Sequence, residues 1–169
     1  MSGATDLDGC IERILENLDG VARTRIADEH RRWFAAAMLR NLYHLGLACA
    51  REPARRREAS TRLAPVWRHF ADEGMFELQW FAGRQASSAL REAEGWPGPC
   101  RGRSALAFFI ELADAALEFE SLMVDLAALD EDLRELADRE GYLRDEEIDA
   151  GVPPTHWWWW APRGRGGAT

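Results

Sequence analysis

Nine apolar residues in the second half of the sequence recur at alternating intervals of four and three residues. This spacing averages 3.5 residues, so all nine side chains fall on one stripe of an α-helix and face a neighbouring helix. The row predicts one long helix that begins at a capping Ser104 and continues to about Gly141. The nine residues are Phe108, Leu112, Ala115, Phe119, Leu122, Leu126, Leu129, Leu133 and Leu136.

The width of this apolar stripe changes along the predicted helix. Up to Ala127 a second apolar row widens it, which is typical of a helix in a globular bundle. From Ala128 onward only the narrow seam remains, within the charged stretch DEDLRELADRE. One interpretation is an antiparallel bundle whose last helix extends beyond the core. The alternative is that Leu129, Leu133 and Leu136 form a coiled-coil seam with a second chain.

The first half of the sequence also favours helices. Strand signals are weak, because no run alternates apolar and polar residues and only four valines occur in the chain. A first helix is predicted over residues 6–18, ending at Asp19-Gly20. A second is predicted over residues 21–51, because the residue before Pro53 avoids the helical region of backbone space.

Two further helical segments are expected, over residues 53–74 and 75–95. Pro65 is either a kink or a fresh helix start within the first of them. Whether Gly74 ends a helix is open from sequence alone. Residues 95–103, GWPGPCRGR, predict a loop, because three glycines and two prolines fall within nine positions.

These patterns together predict an all-α protein. The expected architecture is an antiparallel bundle of four to five helices, with a long acidic heptad-patterned last helix and an extended Trp-rich C-terminal tail. Residues 1–143 are expected to form the helical bundle domain. Residues 144–169 are expected to form an acidic turn followed by the Pro/Trp/Arg tail, with Gly151 ending the turn.

Charge is unevenly distributed along the chain. All 21 basic residues are arginine and the formal net charge is −8. Residues 1–103 carry 16 Arg against 14 acidic residues, 104–151 carry three against 15, and 152–169 carry two and none. An acidic chain is a poor match for duplex DNA. The lack of lysine is typical of a GC-rich genome, so we expect a bacterial source.

An arginine cluster stands out against this background. Five of the 12 residues in REPARRREASTR, residues 51–62, are arginine. As an exposed patch the cluster would suit single-stranded nucleic acid or an acidic partner. The simpler interpretation is that these arginines face the acidic final helix of the same chain across the bundle. The candidate nucleic-acid contacts are Arg55, Arg56, Arg57, Arg62, Arg163 and Arg165.

Motifs with specific chemistry were not found. There is no phosphate-binding Gly loop, no H-E-x-x-H and no G-x-S-x-G. Cys10, Cys49 and Cys100 lie too far apart to suggest a zinc site or a disulfide framework. We therefore expect no metal, no cofactor and no enzymatic activity, with no small-molecule substrate identified. A helical enzyme would need His30, His44 or His69 to converge with carboxylates in a pocket.

The most unusual stretch is VPPTHWWWW, residues 152–160. Pro153 and Pro154 favour extended or polyproline II backbone, in which adjacent side chains point in different directions. The indoles of residues 157–160 would then face at least two sides, one toward the chain's own helices and one away. Two exposed indoles together make an apolar patch of about 300–500 Å², a size typical of interaction sites.

These observations favour a non-enzymatic accessory or adaptor subunit that docks a partner protein or a second copy of itself. The predicted contacts are Trp157, Trp158, Trp159 and Trp160, then the leucine seam at residues 129–136. One alternative is a small helical subunit of a nucleoprotein complex, in which the indoles stack on single-stranded bases beside the arginines. Another is an anchor at a membrane surface. A further one is that the tail folds back and fills a groove of the chain's own bundle. The N-terminal sequence has no secretory pattern, so the expected location is cytoplasmic.

Overall fold

A computed structural model describes residues 6–24, 29–69, 97–113, 126–135, 143 and 145–160. Every regular element within these ranges is helical, which confirms the predicted helical class. None of the described helices is both long enough and apolar enough to cross a membrane. The helices are α1 (Leu7–Arg23), α2 (Glu29–Arg51), α3 (Arg56–Arg62), α4 (Ala64–His69) and α5 (Pro97–Leu112), and residues 126–135 are also helical.

Helix α1 continues past the predicted stop at Asp19-Gly20 and ends at Arg23. Its N-terminus is capped by Asp6, whose carboxylate accepts a hydrogen bond from the backbone N–H of Asp8. The helix continues through Gly20 because Val21 extends the buried face and is fully covered. A Cβ at Gly20 would lie 2.6 Å from the ring of Phe34, so glycine allows α2 to approach closely.

Helix α2 is the central element, since it packs against both α1 and α5. It begins at Glu29 rather than near Val21, and it ends at Arg51, as the Pro53 signal predicted. A second close approach occurs at Gly46, where a Cβ would lie 2.0 Å from the Phe108 ring of α5. The chain then breaks at Leu63, and α4 starts afresh at Ala64 with Pro65 in its first turn.

Helix α5 differs from the prediction at both ends. It begins at Pro97, inside the stretch predicted to be a loop, and Ser104 lies within the helix instead of capping it. Prolines are tolerated there because the first turn of a helix needs no backbone N–H donors. The helix ends at Leu112 because α3 caps its last carbonyls. Ser60 donates to the Leu112 carbonyl at 2.6 Å and Arg56 to the Glu111 carbonyl at 2.8 Å.

One hydrophobic cluster joins these helices. Leu129 and Leu133, from the predicted seam, are buried in it together with Leu126. The seam therefore faces the chain's own core over residues 126–135. The last seam residue, Leu136, lies outside the described residues, as does Gly74, where a helix end was left open. Val152, Trp158 and Trp159 belong to the same cluster, so the C-terminal segment completes the core of the helices.

Candidate functional site

The four tryptophans do not form the predicted extended strip. Trp157–Trp159 make a turn of 3-10 helix, in which the Trp159 N–H bonds the His156 carbonyl at 3.1 Å. The turn places two adjacent indoles inside the core, with Trp158 3% and Trp159 0% exposed. An extended backbone would send these neighbours to opposite sides, so burial of both requires the turn. Upstream, Gly151 has φ 92°, which redirects the chain toward α5.

The hydroxyl of Ser104 holds this turn in place. The indole Nε1–H groups of Trp158 and Trp159 donate to Ser104 Oγ at 3.0 and 2.9 Å. The Trp158 N–H also reaches the Cys100 carbonyl at 3.1 Å. His156 Nδ1 lies 3.0 Å from the same Ser104 oxygen. One buried side chain of α5 therefore contacts three side chains of the C-terminal segment.

Counting hydrogen bonds at Ser104 assigns the histidine tautomer. A hydroxyl has one proton and two lone pairs. Both lone pairs accept indole N–H groups, so the proton is donated to His156 Nδ1 and the ring carries its own hydrogen on Nε2. That Nε2 lies 3.8 Å from Glu111 Oε1, beyond hydrogen-bonding distance, and has no partner within the described part of the chain.

Ser104, His156 and Glu111 are the residue types of a hydrolytic triad, but their geometry serves packing. A nucleophilic serine needs an open face and an imidazole that takes its proton as base. Ser104 is fully buried and both its lone pairs are engaged by indoles. The arrangement fixes the tryptophan turn to α5 and leaves no room for a substrate at Oγ.

Asp149 attaches the same segment to two helices. Its carboxylate accepts from the Tyr43 hydroxyl of α2 at 2.7 Å and from Arg101 Nε of α5 at 2.9 Å. Burial alone would raise the pKa of the Asp149 carboxyl, but the hydrogen bonds from Arg101 and Tyr43 outweigh it. The net pKa lies below the ordinary 3.8. Beside it, Arg51 donates to the Ala150 carbonyl at 3.1 Å.

Because its pKa is lowered on folding, ionised Asp149 stabilises the folded state at neutral pH. This contribution is lost as the pH falls through and below 3.8, where the folded protein takes up the proton. We expect Asp149→Asn to be less stable than the parent at pH 7 and the difference to shrink toward pH 3. Urea unfolding at several pH values measures it. Asp132→Asn, which replaces an exposed carboxylate in the helical segment 126–135, is the control. A stability difference between Asp149→Asn and the parent that does not change with pH would contradict the lowered pKa of Asp149.

The two outer indoles remain partly accessible. Trp157 and Trp160 are half-buried and pack on the edge of the core. The guanidinium of Arg134 lies 4.7 Å above the Trp157 ring, so residues 126–135 border this indole. Arg103 links the inner turn to the same helical segment, because it lies 4.3 Å from the Trp158 ring and bonds Asp130 at 2.7 Å.

Three of the candidate nucleic-acid contacts have carboxylate partners within the chain. Arg62 and Arg55 both bind Asp8 of α1, and these contacts lower the pKa of the Asp8 carboxyl. Arg55 also binds Glu58, and Arg56 lies 3.3 Å from Glu111. Arg62 joins α3 to α1 and Arg56 joins α3 to α5. Only the Arg56–Glu111 contact involves a residue of the predicted final helix, whereas Arg55 and Arg62 pair with α1. Arg57 is exposed, and Arg163 and Arg165 lie outside the described residues.

The described residues also include further titratable groups that the sequence singled out. Within the described ranges, no three His, Cys, Asp or Glu side chains are placed to hold a metal ion. The half-buried His44 has a lowered pKa, mainly because burial disfavours its charged form. The thiols of Cys10, Cys49 and Cys100 are buried, and burial raises the pKa of each.

Sequence reasoning missed the residues that anchor the segment. Ser104 was interpreted as a helix cap, and Asp149 as one charge in an acidic turn. The His156 ring, to which the sequence assigns no contact, stacks on the Trp158 ring at 4.8 Å. Their partners lie 48 to 106 positions away along the chain, so no local pattern identifies them. The one available signal was the need of two buried indole N–H groups for an acceptor.

Comparisons of the chain with models of known families, with curated proteins and with solved structures gave no significant match.

Proposed function

We propose that this chain is a non-enzymatic accessory or adaptor protein that docks a partner protein through the outer face of its tryptophan turn. The observation that carries the proposal is the division of the four indoles. Trp158 and Trp159 are anchored inside by Ser104, while Trp157 and Trp160 remain partly exposed. An aromatic pair held on an ordered base loses little conformational entropy on binding, which favours affinity.

The surroundings of Trp157 support a protein partner. Arg134, Trp157 and Trp160 combine a cation with two amphipathic rings, and Trp and Arg are the residues most enriched at binding hot spots. The proposal keeps the predicted antiparallel bundle of four to five helices as the scaffold, supported by the packing of α2 on both α1 and α5. Leu129 and Leu133 are part of the scaffold and not of the docking face, because both are buried.

The test uses variants that spare the anchor. Trp157→Gln/Trp160→Gln removes both outer indoles, whereas Trp33→Gln removes an indole of α2 that is 60% exposed and serves as the matched control. We expect the double variant to bind a partner captured by the parent at least about 30-fold more weakly, because two hot-spot residues are lost. Affinity capture followed by titration of the identified partner measures this.

Folding of the double variant is checked by thermal unfolding, since the outer indoles also touch the core. Sedimentation of the purified chain separates docking of another protein from pairing of two copies. Retention of every partner and of the assembly mass by the double variant would contradict the proposal. Loss of the partner in Trp33→Gln instead would move the docking face to α2.

A further inference from the structure

A small cleft opens beside the anchored turn. Its volume is about 210 Å³, and it lies between α2, α3, α5 and the segment that precedes the tryptophans. Phe108, Leu112 and Pro153 give it an apolar floor. Arg56, Glu111 and Thr155 supply its polar groups. This volume is below the ~300–1,000 Å³ of sites for cofactors and drug-sized ligands, so only a few heavy atoms fit.

The carboxylate of Glu111 is loosely held in this cleft. Its Oε2 lies 3.3 Å from Arg56 Nη2, and its Oε1 lies 3.8 Å from His156 Nε2. The Glu111 side chain is 40% exposed, whereas the His156 side chain is only 2% exposed, lies behind Glu111 and bonds Ser104 through Nδ1. Among the described residues, this buried N–H donor therefore has no hydrogen-bond partner and faces a half-exposed carboxylate.

The electrostatics at this point favour a negative charge. The His156 ring 3.8 Å away foremost, together with the charge of Arg56, lowers the pKa of the Glu111 carboxyl, although burial acts in the opposite direction. Arg56 and His156, from different elements, therefore favour a carboxylate at the position that the Glu111 carboxylate occupies.

We propose that this cleft binds a small molecule carrying a carboxylate on a short apolar body, and that the ligand displaces Glu111 from Arg56 and His156. The ligand carboxylate accepts hydrogen bonds from the Arg56 guanidinium and the His156 Nε2–H. Its apolar body covers Phe108, Leu112 and Pro153. Binding is non-covalent and independent of partner docking by the outer indoles.

The experiment titrates the full chain with n-butyrate, n-butylamine and n-butanol at low salt, and follows heat release and the NMR shift of the Leu112 methyl groups. The three probes share one apolar body and differ in charge. We expect butyrate alone to bind, with a dissociation constant of about 1–10 mM, in keeping with its few atoms.

Three variants define the site. Arg56→Gln should weaken butyrate binding by about tenfold or more, since a charge-assisted hydrogen bond is lost. Arg57→Gln, the exposed neighbour, is the matched control and should change nothing. Glu111→Gln should tighten butyrate binding by about tenfold, because it removes the negative charge that competes with the butyrate carboxylate and would lie about 4 Å from it.

The direction of the Glu111→Gln effect is decisive. Binding of butylamine that Glu111→Gln abolishes would replace the proposal with a cation site. Absence of butyrate binding at about 50 mM, in the parent and in Glu111→Gln, would overturn it. If Glu111→Gln fails to fold, the proposal is tested by comparing how strongly the parent binds the three probes. Equal binding of butyrate and butanol would then overturn the carboxylate assignment.

Discussion

Replacement of Ser104 by alanine is expected to lower the free energy of unfolding by about 4 kcal/mol, because two buried polar groups lose the hydrogen-bond partner that they have among the described residues. Trp159 Nε1 and His156 Nδ1 both bond the Ser104 hydroxyl. Trp158 Nε1 retains the Cys100 carbonyl at 3.1 Å. Each unsatisfied buried group costs about 1–3 kcal/mol, while the lost volume of one oxygen costs little. Urea unfolding followed by tryptophan fluorescence measures the change.

Two further variants make the Ser104 result specific. Ser60→Ala also removes a serine hydroxyl, but one that donates to the Leu112 carbonyl on the rim of the core. It should cost about 1 kcal/mol. In the Ser104→Ala background, Trp159→Phe removes the unsatisfied donor. The double variant should therefore lose less stability than the sum of the losses in the two single variants, by about 1 kcal/mol or more. Equal costs for Ser104→Ala and Ser60→Ala would contradict the anchoring role.

Gly46→Ala is expected to destabilise the protein by about 2–3 kcal/mol through overpacking where α2 crosses α5. The added methyl group would lie 2.0, 2.1 and 2.5 Å from three ring atoms of Phe108, which is itself buried. Alanine favours a helix by about 1 kcal/mol over glycine, and this gain is too small to offset the clash. Thermal and denaturant unfolding both report the loss.

A matched glycine distinguishes packing from helix propensity. Gly9→Ala in α1 places the new methyl group 3.3 Å from the flexible end of Arg13, so stability should stay level or rise slightly. Phe108→Leu in the Gly46→Ala background should restore part of the loss, because the smaller side chain gives the methyl group room. A Gly46→Ala protein as stable as the parent would show that the two helices do not meet at this point.

The helices were predictable because their signals are local. Apolar spacing identified α1 and α2, and the Glu52-Pro53 step placed the end of α2 at Arg51. The beginning of α5 was not predictable, since Pro97, Gly98 and Pro99 together favour a loop and the helix is stabilised by side chains far along the chain. Trp158 meets Cys100 across 58 positions, and that contact has no trace in the local sequence.

The candidate site was predictable only in outline. Four adjacent indoles indicate that some of them pack against the chain's own helices, and Trp158 and Trp159 do so. It cannot say which indoles face inward, because that choice depends on the turn made by residues 157–159 and on the position of one hydroxyl. The cleft at Glu111 could not be predicted from the sequence, since Arg56, Glu111 and His156 come from three separate elements.

The position of the anchored turn in the chain also affects how the protein is made. Tyr43 meets Asp149 across 106 positions and Ser104 meets Trp159 across 55. A ribosome releases residues in order, so the helices leave the exit tunnel before the residues that close their shared core exist. Until residue 159 has emerged, Tyr43, Phe108 and Cys100 lack the side chains that cover them. The nascent helices therefore expose apolar surface to the cell's chaperones and proteases throughout synthesis.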